Sequence, residues 1–583
     1  VTTTTQSTPK ILLEDKKVYR KRVRQKVGME GILRRVLFVL IGIWIFIFLL
    51  EPLIRNFTRS LQDEKGVFIG LTNYINYFSS PTTSASLRHS LTISVLSTII
   101  TVLLAFIYAY GLTRITLPGR NILNAIAMGP IFVPSLVQAL AFIYMFGNNG
   151  IITRALNINI NLYGSVGIVL SEVFYAFPHA LIILMTALSL ADARLYEAAE
   201  SLNASGRRIF FTVTLPAVRY GLMSAAFVVF TLAITDFGAP KVVGGNYDVL
   251  ATDIYNKVIG QQKFAMGATI STLLLIPAMI AFILDRIVQR RQVAQVTADV
   301  RPLGPKPHRP LVQTGMLIFC GLVALFIISV YLVVVVGAFT EFWPYNFGFT
   351  LKHFHPEVAG AHHALGGLAF IFNSLKLAFF TSLIGTVVVF FSAYLIEKSR
   401  GLRAPRMILY LLSITPLAVP GMVLGLSYLF TFNDPSHPFN FIYGTTAILV
   451  VSTIFHYYTV PFLTATTALK QMDPEFESIG ESLETPFYRT FMRVTVPVAL
   501  PALISIAMYF FLNAMVTISA LVFLFVPGNE VASLGVMLLD DSGNTAQAMA
   551  MSLLILVTGL TVRSLFYFVT KGIQARTQAW TQR

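Results

Sequence analysis

The chain has 583 residues, a mean hydropathy of +0.71, and only 12% charged residues, a balance that excludes a soluble globular protein. Its net charge of +16 does not imply a nucleic-acid partner, because the basic residues follow the sides of a membrane. Cys320 is the only cysteine and lies in an apolar run, which excludes a disulfide framework and a thiolate metal site.

Residues 1–35 form a polar tail with Lys16, Lys17, Arg20, Arg22 and Arg24, expected on the cytoplasmic side near anionic lipid. This tail is too long and too charged for a cleavable signal peptide. Twelve apolar segments follow, near 36–55, 91–112, 122–146, 165–190, 218–237, 265–285, 314–338, 374–396, 407–430, 444–469, 499–524 and 545–569. Each is long enough for a hydrocarbon core of ~30 Å at about 1.5 Å per residue. The expected fold is therefore an all-α polytopic membrane protein with twelve transmembrane helices. An even number of spans puts both ends on one side. The segments 113–121, 191–217, 286–312, 397–406 and 470–498 share that side and, with the two tails, hold most of the 43 Lys and Arg. The positive-inside rule makes that side the cytoplasm.

The stretch Leu195 to Pro216, a basic island between apolar runs, returns at Phe476 to Pro497 with an offset of 281 residues and no gap: Asp192 matches Asp473, Thr214 matches Thr495, and Pro216 matches Pro497 (495 − 214 = 281). Leu195, Ala198, Ala199 and Leu202 occupy one helical face, repeated by Phe476, Ile479, Gly480 and Leu483. Asp192 and Asp473 stand where an N-cap belongs, and Pro474 follows at the first helical position. Asn203 to Gly206 and Glu484 to Pro486 then break the helix, and a second short helix is predicted to run into Pro216 or Pro497. Other landmarks also recur: Ser90-Leu91 and Ser374-Leu375, Pro130 and Pro134 with Pro416 and Pro420, and Pro178 with Pro461. These make two parallel repeats joined by a basic, Pro-rich linker. The predicted layout is a tail 1–35, a first half 36–285, a linker 286–313, a second half 314–570 and a tail 571–583.

Glu197-Ala198-Ala199, Asn203, Val213 and Leu215-Pro216 resemble the EAA-x3-G-x9-I-x-L-P signature of the permease subunits of type I ABC importers. Asn203 replaces the usual Gly, and Asn is the next best residue for a left-handed turn. The second copy departs further, with Ser478-Ile479-Gly480 in place of the EAA triplet, Glu477 displaced by one position and Glu484 at the Gly position. The resemblance covers nearly the whole chain as two tandem permease domains. It implies that each loop is a coupling helix docking on a cytoplasmic ATPase homodimer. The docking residues it implies are Glu197, Ala198, Ala199, Leu202, Asn203 and Pro216, with Glu477, Ile479, Gly480, Leu483, Glu484 and Pro497 in the second loop. A periplasmic solute-binding protein would be the other partner, and the bacterial inner membrane the location. No GxxxxGK[ST] loop occurs, so ATP-Mg is expected on the partner, with no cofactor bound by this chain and no nucleophile–base constellation for catalysis.

Ionisable groups inside the apolar runs are Glu51, Glu172, His179, Asp236, His456 and Arg563. Buried charge in lipid faces a bundle interior or a path. Asp236 is the first candidate for the substrate path, with Asn513 and Thr517 at the same depth of the second half; Glu172, His179 and His456 are further candidates. Glu51 and Arg563 lie near span ends and are expected to snorkel or pair locally. The segment 339–373 holds His353, His355, His362 and His363 beside Glu341 and Glu357, an arrangement open to a transition metal or to an ordinary cap. No metal site is assigned there, and ferric iron prefers hard oxygen donors. The fused layout resembles permeases for ferric iron and for 2-aminoethylphosphonate or related phosphorylated anions such as sugar phosphates. Asn513 to Leu524 and Thr577 to Trp580 look closest to the phosphonate group, with ferric iron as the alternative. An ion-driven secondary transporter shares the twelve-span, two-half layout.

Overall fold

The computed structural model describes residues 29–158, 160–295, 303–306, 309–354, 366–399, 403–473 and 475–577. Among them, nine helices are long and apolar enough to cross a membrane. Three bent helix pairs bring the number to twelve if each pair is one span. The only sheet among the described residues is the hairpin β1 (Thr340–Phe342) and β2 (Asn346–Phe349).

The first half runs through α1 (Gly31–Ser60), α2 (Thr72–Ser79), α3 (Pro81–Arg114), α4 (Arg120–Ala127), α5 (Ser135–Phe146), α6 (Ile151–Leu156), α7 (Ser165–Ser189), α8 (Ala193–Ser201), α9 (Gly206–Thr235), α10 (Gly238–Val243), α11 (Leu250–Tyr255) and α12 (Phe264–Gln295). The second runs through α13 (Pro310–Phe339), α14 (Gly366–Lys398), α15 (Arg403–Ile414), α16 (Gly421–Phe432), α17 (Thr446–His456), α18 (Thr459–Gln471), α19 (Glu475–Ser482), α20 (Phe487–Val498), α21 (Leu500–Val516), α22 (Ala532–Asp541) and α23 (Thr545–Thr577).

Several predicted spans are not single helices, and proline explains the main departures. The segment 122–146 breaks into α4, a 3-10 turn Gly129–Phe132, and α5; the segment 407–430 breaks between α15 and α16 with a bend of 109°. A residue before proline is driven out of the helical region. Val133 (φ −133°, ψ 135°) precedes Pro134, and Val419 (φ −96°, ψ 114°) precedes Pro420. Gln138 satisfies the carbonyls exposed by the first break, donating to Pro130 O at 2.9 Å and Val133 O at 3.1 Å. Pro178 stays inside the unbroken α7, whereas α17 and α18 meet at 59°. Pro461 follows that bend because its ring clashes with the carbonyl four residues back, at Tyr457. At the 281-residue offset Pro178 falls on Thr459 (459 − 178 = 281), so the expected pairing with Pro461 does not hold. The eleventh predicted segment, 499–524, leaves the helix at Val516, and Thr517 begins a run of turns.

The two halves embrace by exchanging their first helices. From α1, Phe48 stacks on Phe432 of α16 at 5.6 Å and on Phe455 of α17 at 6.2 Å, and its carbonyl accepts a 2.6 Å bond from Tyr428. Arg55 bonds Asp434 at 3.1 Å, while Glu51 pairs with Arg55 at 3.2 Å and lies 3.3 Å from His437. From α13, Phe326 reaches Phe142 of α5 at 6.0 Å and Phe174 of α7 at 6.1 Å. The described aromatic side chains thus tie each half to the other at the level of its broken third segment.

Candidate functional site

Two features stand out, and both come from the repeat. One is a pair of loops that carry exposed apolar side chains; the other is a cavity of about 430 Å³ between the halves.

In each loop a carboxylate starts the helix. Asp192 Oδ1 accepts the Arg194 amide at 3.0 Å, and Asp473 Oδ1 accepts the Glu475 amide at 2.9 Å. Asn203 (φ 53°) and Glu484 (φ 51°) end α8 and α19 in the same left-handed turn. Backbone geometry is thus shared although neither position is glycine. Tyr196 holds α8 in place by donating to Thr214 at 3.1 Å. Leu195 and Leu202 are 55% and 83% exposed, and Ile479 and Leu483 are 54% and 71% exposed. Glu197 and Ala198 also face outward, while Gly480 faces inward: an added Cβ there would lie 2.8 Å from Thr490 Oγ1. Close packing within its own loop is thus one reason for a glycine at 480. The side chain of Glu477 lies outside the described residues. The expected second short helix is not separate in the first loop. Residues from Gly206 to Thr235 are one helix, with a π-turn at Phe210–Thr214 just before Pro216 that absorbs the proline's missing N–H. Pro497 sits in α20, which bends by 77° into α21.

The cavity collects most of the path candidates. Asp236, His179, His456, Asn513 and Thr517 all line it, although the sequence puts them on four different segments. Both proline breaks reach its wall, through Val133 to Ser135 and Pro416 to Gly421. Asp236 closes α9 and is held by two donors, Ser135 Oγ at 2.7 Å and the Ala239 amide at 2.9 Å. Glu172 is fully buried and does not line the cavity, but its carboxyl abuts that of Asp236. Asn513 turns its amide onto Tyr509 O at 2.8 Å.

Sequence reasoning missed Asp285, Tyr175, Tyr457 and Tyr509 in the wall. Asp285 accepts from Ser224 at 2.6 Å and Gln289 at 2.7 Å, and it closes an apolar run next to Arg286, where a charge reads as a span end. The tyrosines gave no signal because an aromatic in an apolar run reads as packing. Among the described residues lining the cavity there is no Lys or Arg. Arg563 packs instead over the Phe132 ring at 4.2 Å, and the described part of the histidine segment places His353 on Thr340 O at 2.9 Å. His355, His362, His363, Glu357, Pro474 and Gln578 to Trp580 lie outside the described residues, among which no group of three His, Cys, Asp or Glu could hold a metal.

Residues 101–293, which contain the first loop and Asp236, match the family of binding-protein-dependent transport system inner membrane components. A Haemophilus influenzae protein bearing a ferric transport system permease name is 27% identical over 82% of this chain and 76% of its own. The ferric transport system permease of Actinobacillus pleuropneumoniae is 25% identical over 90% of this chain and 76% of its own. The sulfate transport system permease of Escherichia coli is 26% identical over 43% of this chain and 87% of its own, so one of its chains corresponds to about one half of this one. Residues 101–293 thus carry a binding-protein-dependent permease domain, and the chain is similar over most of its length to fused ABC permeases.

Proposed function

We propose that the chain forms the translocation path of an ATP-driven importer for ferric iron. The carrying observation is the cavity: its described wall presents carboxylates and phenols and no Lys or Arg, which suits a hard cation. The ferric names of the two relatives that match most of this chain support the same reading. The expected preference for 2-aminoethylphosphonate gains no such support, since a phosphonate entering this cavity would meet like charge.

In this reading a separate ATPase homodimer docks on the exposed apolar side chains of α8 and α19 in the cytoplasm of a bacterium, at the inner membrane. A solute-binding protein delivers iron at the opposite end. Closure of the ATPase dimer draws the two loops together and exchanges inward-facing for outward-facing states, which requires ATP to bind the two states differently. The test is uptake into proteoliposomes holding this chain and the ATPase encoded beside it, with ferric-loaded binding protein outside. ATP-dependent iron uptake supports the proposal. Uptake that ignores ATP and follows a proton gradient would replace it with secondary transport.

A further inference from the structure

We propose that Glu172 and Asp236, with the phenols of Tyr175, Tyr457 and Tyr509, form a transit site that takes a hard trivalent cation between the two halves. The proposal rests on the ferric-importer reading and names its binding site. Asp236 is supplied with donors and Glu172 is not. Ser135 and the Ala239 amide satisfy both oxygens of Asp236. Neither oxygen of the fully buried Glu172 has a donor among the described residues, and the group it meets is a second carboxyl. Two adjoining carboxyls out of water need a positive charge between them, either a proton or a cation.

The phenols supply what a cation would need next. Tyr175 stands one helical turn beyond Glu172 on α7 and lines the same cavity as Asp236. Tyr457 and Tyr509 come from the other half, with ring centroids 6.2 Å apart, and line the same cavity. Two carboxylates and one phenolate carry three negative charges and neutralise a trivalent ion, the phenol proton and any carboxyl proton leaving to solvent. All these donors are hard oxygen, the type that ferric iron prefers over imidazole. The carboxyls belong to the first half and two of the phenols to the second, so an ion bound here bridges the halves. Parting the halves on conversion to the other state would then release it.

The full chain in lipid nanodiscs is titrated with ferric nitrilotriacetate and followed in the visible region for a phenolate-to-iron charge-transfer band. A saturable band is expected. Glu172→Gln should weaken binding by at least about tenfold, and Tyr457→Phe should reduce the band, with both variants eluting as a single species in gel filtration. No band with the unaltered chain overturns the proposal, and so does an unchanged titration in both variants. Should Glu172→Gln fail to fold, Tyr457→Phe decides alone. Iron uptake by the reconstituted complex separates the two failures. Uptake without a band leaves the importer standing and removes this site, whereas no iron uptake by the unaltered complex removes the ferric reading itself.

Discussion

The two proline breaks pack against the cavity through reciprocal small residues. In the first half Ser135 meets Gly238; at the corresponding contact of the second half Gly421 meets Ser519 (519 − 238 = 281). A methyl added at Gly421 would lie 2.2 Å from Ser519 Oγ, 3.0 Å from Ser519 Cβ and 3.0 Å from His456 Cε1. The hydroxyl can rotate, but the Cβ is fixed to the backbone. Carbon atoms at rest stand about 3.5–4.0 Å apart, so Gly421→Ala should cost about 1–3 kcal/mol by overpacking. Ser519→Gly removes both serine atoms and should restore most of that loss, giving a coupling of at least about 1 kcal/mol in a double-mutant cycle. The first half behaves differently. A Cβ at Gly238 would meet Ser135 Oγ at 2.6 Å and also the Leu136 amide nitrogen at 3.0 Å, which no side-chain change removes. Rescue of Gly238→Ala by Ser135→Gly should therefore fail. Denaturant unfolding of the purified permease, followed by tryptophan fluorescence, measures both cycles. Additivity within about 0.5 kcal/mol at the Gly421–Ser519 pair, or an undisturbed Gly421→Ala, refutes the packing argument.

Other expectations follow from single contacts. Leu202→Glu together with Leu483→Glu alters two outward side chains and should change stability by less than about 0.5 kcal/mol, while abolishing ATPase binding in pull-down; retained binding counts against docking on α8 and α19. Glu484→Gly should stabilise the chain by about 1 kcal/mol, since a left-handed turn costs a Cβ-bearing residue about 1–2 kcal/mol; a lower melting temperature would contradict this. Tyr428→Phe frees the Phe48 carbonyl and should cost about 1 kcal/mol, seen as easier separation of α1 from the second half by limited proteolysis. Asp540 lies in α22, between two spans; burial chiefly, with Asp541 beside it, raises its pKa from 3.8 to about 6, against the pull of Lys241. A raised carboxyl pKa gives stability that is full below 3.8 and lost as pH rises through about 6. Asp540→Asn should hence be more stable than the parent at pH 8, by up to about 3 kcal/mol, and equal to it near pH 4. Parallel melting curves at both pH values would rule this out.

The all-helical, two-repeat membrane architecture was legible because long apolar runs and a register-perfect polar loop are local signals. Asp192 and Asp473 read as caps from position alone, and they cap. The proline breaks were legible as kinks, but their depth was not: a bend of 109° between α15 and α16 depends on what Pro420 packs against, and packing is not local. The cavity was legible in part. Asp236, His179 and His456 stand out as polar residues in apolar runs, and all three line it. Their phenolic neighbours do not stand out, since tyrosine is ordinary in a membrane helix and only the meeting of α7, the bend between α17 and α18, and α21 gives these three rings a common wall. The exchange of α1 and α13 between halves left no mark in the sequence, because an aromatic side chain that faces a foreign helix looks the same as one that faces its own.

Fusion of the two halves gives the asymmetry of the cavity a physical reason. At the 281-residue offset, Glu172 corresponds to Thr453, Tyr175 to His456 and Asp236 to Thr517 (453 − 172 = 281). A symmetric pair of identical subunits would set two copies of each carboxyl around one axis. Four acids at and behind one small cavity would hold a single cation with excess negative charge left over, and buried charge left unpaired is costly. One polypeptide with two halves escapes that constraint. The first half keeps the acids, Asp285 among them, the second answers with hydroxyls, an imidazole and an amide, and at the proposed site two carboxylates and one phenolate match one trivalent cation. Transferring acidity to the other side, as Thr453→Glu with Glu172→Thr and Thr517→Asp with Asp236→Thr, should then preserve iron binding better than adding the second pair alone. The added pair should bind protons or several cations in its place, and the ratio of iron to protein at saturation distinguishes these outcomes.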